Sequence, residues 1–280
     1  MSVPVPTMKP VKPTNGTPAP ARTPQVAATP TTHAGIKRGR LSCSHKIVIY
    51  GPGGVGKTEL ASLADGNVLF IDLEDGSKFL DVSRVDPAPQ TFADLLGAVR
   101  MAAESPDVDV IVVDSFTKAE ELGVAHTLAT VKHEKGHSVD SIEGYGFGKG
   151  YVHVFETFLM LLQALDAAAR RGKHIIGIAH DCTANVPNPA GEDWIRYEPR
   201  LQSPPSGKGS IRHRVKEWCD HLFYVGFDSF SKDGKAQGSG TRTIYSTELP
   251  THWAKSRVLS DDVVYERGDA SLWQQLFNKA

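Results

Sequence analysis

From position 41 onward the chain repeats one pattern: short apolar runs rich in β-branched residues. They are 45–50 (HKIVIY), 68–73 (VLFIDL), 108–113 (VDVIVV), 175–179 (IIGIA) and 221–226 (HLFYVG). A strand with one face in water alternates apolar and polar residues. These runs are apolar almost throughout, which predicts strands buried on both faces of a parallel sheet. Between them, 58–64, 91–104 and 152–171 carry helical periodicity and end near Asp65-Gly66, Ser105-Pro106 and Gly172. Alternation of this kind implies a doubly wound α/β sheet flanked by helices. Beyond residue 240, TRTIYST predicts a closing strand and ASLWQQLFNKA a terminal helix. Residues 41–280 are therefore expected to form one domain.

Residues 1–40 break the pattern. They hold eight of the 18 prolines and six basic residues (Lys9, Lys12, Arg22, Lys37, Arg38 and Arg40) with no acidic ones. Such a segment buries too little apolar surface to offset its chain entropy, so a disordered basic tail is expected. The net charge of the whole chain is only −1, so the remainder is net acidic. Nucleic-acid contact would then need a local basic patch, not a basic whole. Three scattered cysteines (Cys43, Cys182 and Cys219) form no disulfide framework, and no run approaches 18 apolar residues. A cytoplasmic protein without a membrane span is the expectation.

The chemistry starts where the first strand ends. Gly51-Pro52-Gly53-Gly54-Val55-Gly56-Lys57-Thr58 fits G-x-x-x-x-G-K-[ST] between a strand and a helix. Glycines let backbone N–H groups close around phosphates at the positive end of the helix. Lys57 would reach the β- and γ-phosphates of ATP, and the Thr58 hydroxyl would ligate Mg²⁺. The third strand ends in Asp114, placed to complete the Mg²⁺ shell, and is followed by Ser115. An AAA+ ATPase would normally carry its catalytic glutamate at that next position, so the base must come from elsewhere.

A glutamate closing the strand after the phosphate loop (FIDLE, Glu74), with a later strand ending Asp-Ser (VVDS), resembles the RecA family. More narrowly, the chain is similar to compact phage RecA-like ATPases of the AAA-domain and single-strand annealing type. A Gly-rich segment (EGYGFGKGY), a strand ending in His180 (IIGIAH) and a late Lys-x-Arg (Lys255-Ser256-Arg257) extend the likeness. The resemblance implies that Glu74 orients the attacking water and that His180 senses the γ-phosphate. It also implies that Arg257 reaches a neighbouring subunit's site as an arginine finger in a homo-oligomer. His180 and Cys182 lack a second ligand pair at zinc spacing, so a zinc site is not expected.

Two intervals, 130–150 and 181–210, correspond to the DNA-binding loops of RecA-like proteins. The second carries Trp194, Arg196, Tyr197, Arg200 and Lys208, with Arg212 and Arg214 just beyond; the first offers Lys132, Lys135, Lys149 and Tyr151. Aromatic rings interleaved with cations can stack bases and track phosphates. The resulting expectation is an ATPase acting with single-stranded DNA in phage recombination or replication, alongside a single-strand binding protein. A helicase or helicase-loader motor, a KaiC-like regulatory ATPase without DNA binding, and a nucleotide-gated binding module remain open.

Overall fold

Each predicted apolar run becomes a strand because both of its side-chain faces meet a layer of helices. The computed structural model describes residues 44–232 and 235–277, and within 229–239 only the backbone. The tail expected at 1–40 lies outside the described residues. In chain order the elements are β1 (Lys46–Gly51), α1 (Lys57–Ser62), β2 (Val68–Asp72), β3 (Ser83–Arg84), α2 (Phe92–Glu104), β4 (Val110–Asp114) and α3 (Phe116–Thr130). They continue with α4 (Lys149–Arg170), β5 (His174–Val186), β6 (Trp194–Pro199), α5 (Ile211–Trp218), β7 (His221–Lys232), β8 (Lys235–Tyr245), β9 (Val263–Val264) and α6 (Ser271–Phe277).

The strands form one sheet in the order β3-β2-β4-β5-β1-β7-β8-β9, with β6 hydrogen-bonded to the outer half of β5. From β3 to β7 all pairings are parallel. β8, β9 and β6 join in antiparallel pairs. Side chains alternate across each strand. In β1, Val48 and Tyr50 enter a core shared with α2, α3 and α4. Ile47 and Ile49 enter the opposite core, which includes Leu60 of α1 and Leu272, Trp273 and Leu276 of α6. The expected α/β architecture is the observed one.

α3 is a helix that apolar periodicity does not reveal. Its inward positions include Ala119, Gly123 and Thr127, which are small. They allow close approach: a Cβ on Gly123 would lie 3.7 Å from Phe92 and from Thr157. The Thr127 and Thr157 hydroxyls meet at 2.8 Å. α4 shows the reverse. With 22 residues and a mean hydropathy of 1.3 it is long and apolar enough to cross a bilayer. Its stripe of Val154, Phe158, Leu161, Leu162 and Leu165 is buried in the core, so packing accounts for its composition.

Both intervals expected to be open DNA-binding loops hold folded structure. In 130–150, Tyr145 is buried and donates from its hydroxyl to the carbonyls of Val131 (2.6 Å) and Thr127 (3.3 Å). In 181–210, β5 runs on to Val186 and turns back as β6. α5 follows, capped by the Ser210 hydroxyl, with Ile211, Val215 and Trp218 buried along one face.

Candidate active site at the carboxyl edge of the sheet

Parallel pairing brings the carboxyl ends of β1, β2, β4 and β5 to one edge, where open α/β sheets bind ligands. Gly51 stands beside His180, Asp72 beside Asp114, and Asp114 beside Ile178. A cavity of about 490 Å³ opens there, lined by the phosphate loop together with Glu74, Gly76, Asp114 and His180.

Gly54 and Gly56 have φ of 75° and 101°, the left-handed region that glycine enters without steric cost. Gly56 caps α1, so the loop turns its amides toward the cavity at the helix N-terminus. Lys57 is buried, and its ammonium donates to the carbonyls of Gly51 (2.7 Å) and Pro52 (2.9 Å). Burial lowers its pKa, opposed by the carboxylates of Asp114, Asp181 and Glu74. The Thr58 hydroxyl donates to Asp114 Oδ2 at 2.7 Å. Burial pushes the Asp114 carboxyl up to about 6; the Thr58 hydrogen bond lowers it, the Asp72 and Glu74 charges raise it, and Lys57 lowers it.

These residues fit Mg²⁺ and a polyphosphate. Thr58 and Asp114 offer hard oxygen donors at one point, as Mg²⁺ requires. Gly76 keeps that point clear: a Cβ there would come within 3.4 Å of Asp114 Oδ2 and 3.7 Å of Thr58 Oγ1. A Cβ on Gly53 or Gly54 would meet nothing within 4 Å, so the loop is open for a ligand.

Glu74 faces the same cavity. Ser115 Oγ donates to its Oε2. His180 Nε2 lies 3.3 Å from its Oε1 and 3.2 Å from its Oε2. An ionised carboxylate only accepts, so Nε2 of His180 carries the hydrogen. Ser115 also caps α3, accepting from the Lys118 amide. Two residues on, Thr117 Oγ1 accepts from the His180 amide and donates to the Arg200 carbonyl. The first turn of α3 therefore fixes both Glu74 and the strand that carries His180.

Three contributors escaped the sequence reading. Asp72, an unremarked acid in FIDLE, accepts from the amides of Glu74, Gly76 and Ser77 and from the Ser77 hydroxyl. Burial alone would raise its pKa, but these bonds outweigh that and hold it low. Asp72 thereby shapes the loop that presents Glu74. Ser115 stood out in the sequence only as the absence of a glutamate. Tyr265 lies beyond every motif, yet its hydroxyl donates to the Gly56 carbonyl at 3.1 Å.

Arg257 is not brought to this cavity. It pairs with Asp220 at 3.2 Å, and Asp220 bonds the backbone of Lys46 at the start of β1. That is the amino edge of the sheet, a strand's length from the phosphate loop. The expected DNA cations also divide. Arg196 and Arg212 both close on the buried carboxylate of Glu198 (2.7 Å each), and Lys149 pairs with Glu134. Arg200 and Lys208 are exposed, and Arg214 is half exposed beside Glu217.

No curated protein matches the chain. A family model described as an AAA domain matches residues 44–258, the stretch that contains every element from β1 to β8. That match covers well over half of the chain, and with this fold and phosphate loop it establishes that the chain belongs to the AAA-domain family of P-loop ATPases.

Proposed function

We propose that the chain hydrolyses ATP with Mg²⁺ at the carboxyl edge of its sheet, with Glu74 as the base. The observation that carries this is the placement of the Glu74 carboxylate, held by Ser115 and His180 in the cavity that Lys57 and Thr58 also line. Mg²⁺ held by Thr58 and Asp114 would neutralise phosphate charge. Lys57 and the loop amides hold the phosphates in place. Glu74 orients a water molecule and takes its proton, a role for which a carboxylate within reach of the phosphates is suited. His180, bonded to that carboxylate, links the base to the strand beneath it.

Coupling to single-stranded DNA is the reading of the finer role that we favour, in the manner of phage RecA-like recombination ATPases. One connection supports it: the amide of Arg200, at the foot of the β5–β6 hairpin, donates to the His180 carbonyl at 2.8 Å. A strand gripped by the exposed Arg200 and Lys208 would press directly on the sensor. Steady-state ATP turnover with and without single-stranded DNA tests both levels. Stimulation supports the coupled reading. Basal turnover unchanged by DNA leaves the ATPase and favours the regulatory alternative, and no turnover at all removes both.

Arg257, lying at the amino edge, can act as a finger only on a neighbouring subunit of a homo-oligomer. Mixing Arg257→Ala with Lys57→Ala chains should then restore activity through interfaces that pair an intact loop with an intact finger. Absence of complementation in verified mixed oligomers counts against it.

A further inference from the structure

The segment after β8 clasps the helix that follows the phosphate loop at two points. Tyr265, buried, donates to the Gly56 carbonyl, and a Cβ on Gly56 would come within 3.0 Å of the Tyr265 hydroxyl oxygen. Trp273, fully buried on α6, donates from Nε1 to the Leu60 carbonyl at 2.8 Å. Between these clasps stands Arg267. Its Nε lies 3.3 Å from Glu59 Oε2, and its side chain lines the same cavity as Gly53, Gly54, Gly56, Lys57 and Thr58. Residues 263–277 fall outside the family match, so no shared motif assigns them a role.

The charges of the cavity are unbalanced for a polyphosphate. Glu59, Glu74 and Asp114 line it, against Lys57 and Arg267. Lys57 is buried within the loop, whereas the Arg267 side chain is 65% exposed and tied only at the rim. An ion pair with one partner mostly in water, such as Arg267–Glu59, holds that partner weakly. A guanidinium offered a phosphate gains short, charge-assisted and often bidentate bonds, which are stronger. Glu59 directly follows Thr58 on α1 and pairs with Arg267, whereas Glu74, in the loop after β2, is held by Ser115 and by His180 of β5. The cation is thus tied to α1 and not to the groups that hold Glu74.

We infer that Arg267 is a nucleotide-binding residue, released from Glu59 to grip the phosphates that are not cleaved and so to seat the C-terminal segment against bound nucleotide. This rests on the proposed nucleotide site. It makes Arg267 a contributor to affinity for ADP and ATP alike, distinct from a finger that acts on the departing phosphate.

The test is equilibrium binding of a fluorescent ADP and of a fluorescent non-hydrolysable ATP analogue, with Mg²⁺, to full-length wild type, Arg267→Ala, Arg267→Lys and Glu59→Gln. Arg267→Ala should weaken both ligands by about tenfold, what one charge-assisted hydrogen bond is worth. Arg267→Lys should recover part of the loss, and Glu59→Gln should bind at least as tightly as wild type. Circular dichroism and melting temperature check that the exposed substitutions leave the fold intact. Unchanged affinity in Arg267→Ala overturns the inference, and so does a loss confined to the ATP analogue. Wild-type protein that binds neither ligand would remove the proposed site, and this inference with it.

Discussion

The two edges of the parallel sheet carry opposite solutions to the problem of polar groups at strand ends. At the carboxyl edge, Lys57, Asp114, Glu74 and His180 crowd a cavity of about 490 Å³, partly open to water and with clashing charge. At the amino edge, His45, His174 and His221 are packed and uncharged. His45 Nδ1 meets His221 Nε2 at 2.9 Å, and the His45 amide donates to His174 Nδ1 at 3.1 Å. The ring of Phe277 stacks on His174 at 4.1 Å. His221 Nδ1 is partnered by Ser256 Oγ at 2.9 Å. Strained electrostatics mark the edge that carries the cavity; a packed, hydrogen-bonded histidine cluster marks the opposite edge.

Lys57→Ala should break one edge and leave the other. Loss of the loop cation should lower ATP turnover by roughly a thousandfold or more, as expected for removal of a principal phosphate contact. Melting temperature should move far less than turnover, because burial already disfavours the charged Lys57 in the fold. Turnover near wild type in that variant would show the loop is not the phosphate site.

Acid should do the reverse. Burial holds His174 and His221 at about 4 and lowers His45 as well; the charge of His45 adds to this at His174 and His221, Asp109 opposes it at His174 and Asp220 at His45 and His221, and Arg257 and Lys255 reinforce it at His221. The unfolded chain, with ordinary histidines near 6.5, binds more protons than the folded one below that pH. The stabilisation is thus complete above about 6.5 and is lost as pH falls toward 4. Using ~1.4 kcal/mol per pKa unit, and discounting the half-buried His174, the cluster should cost on the order of 3 kcal/mol by pH 4.5. Urea unfolding at pH 7.5 and 4.5, in wild type and His221→Asn, measures it. An equal pH dependence in both proteins would show that the cluster is not the cause.

Ser115 sits where the two demands meet, since one hydroxyl caps α3 and holds Glu74. Ser115→Ala should destabilise the fold by about 1 kcal/mol through the lost cap. It should also slow turnover by about tenfold with little change in KM, the loss expected for one hydrogen bond to a charged group. Ser115→Thr, which keeps the hydroxyl, should recover most of both. A loss of stability without any loss of turnover would make Ser115 a cap alone.

What the sequence made legible follows this same division. The strands were readable because buried parallel strands are continuously apolar, and the phosphate loop because its glycines and lysine are fixed by phosphate chemistry. Asp114 was readable as a strand-end acid; Glu74, expected to close its strand, lies two residues beyond the end of β2 at Asp72, and the structure brings both, with His180, to one cavity. α3 was not readable, because it packs through Ala119, Gly123 and Thr127, and small side chains leave no apolar stripe. The ion pairing in and just beyond 181–210 was illegible for a related reason. Composition shows Arg196 and Arg212 as free cations, but not that Glu198, buried between them, pairs with both. Arg267 left no trace in any motif, since it meets the phosphate-loop helix through a partner 208 residues away in the chain, Glu59.

The central claim is that Glu74, held by Ser115 and His180, is the base at a nucleotide site built by Lys57, Thr58 and Asp114. The most direct test is Glu74→Gln, scored in parallel for ATP binding and for single-turnover hydrolysis. The amide preserves shape but cannot take the proton, so hydrolysis should fall by about 10²–10⁴-fold while ATP affinity stays within a few-fold of wild type. Hydrolysis at the wild-type rate in Glu74→Gln, with affinity intact, would contradict the account and move the base to another carboxylate at this edge.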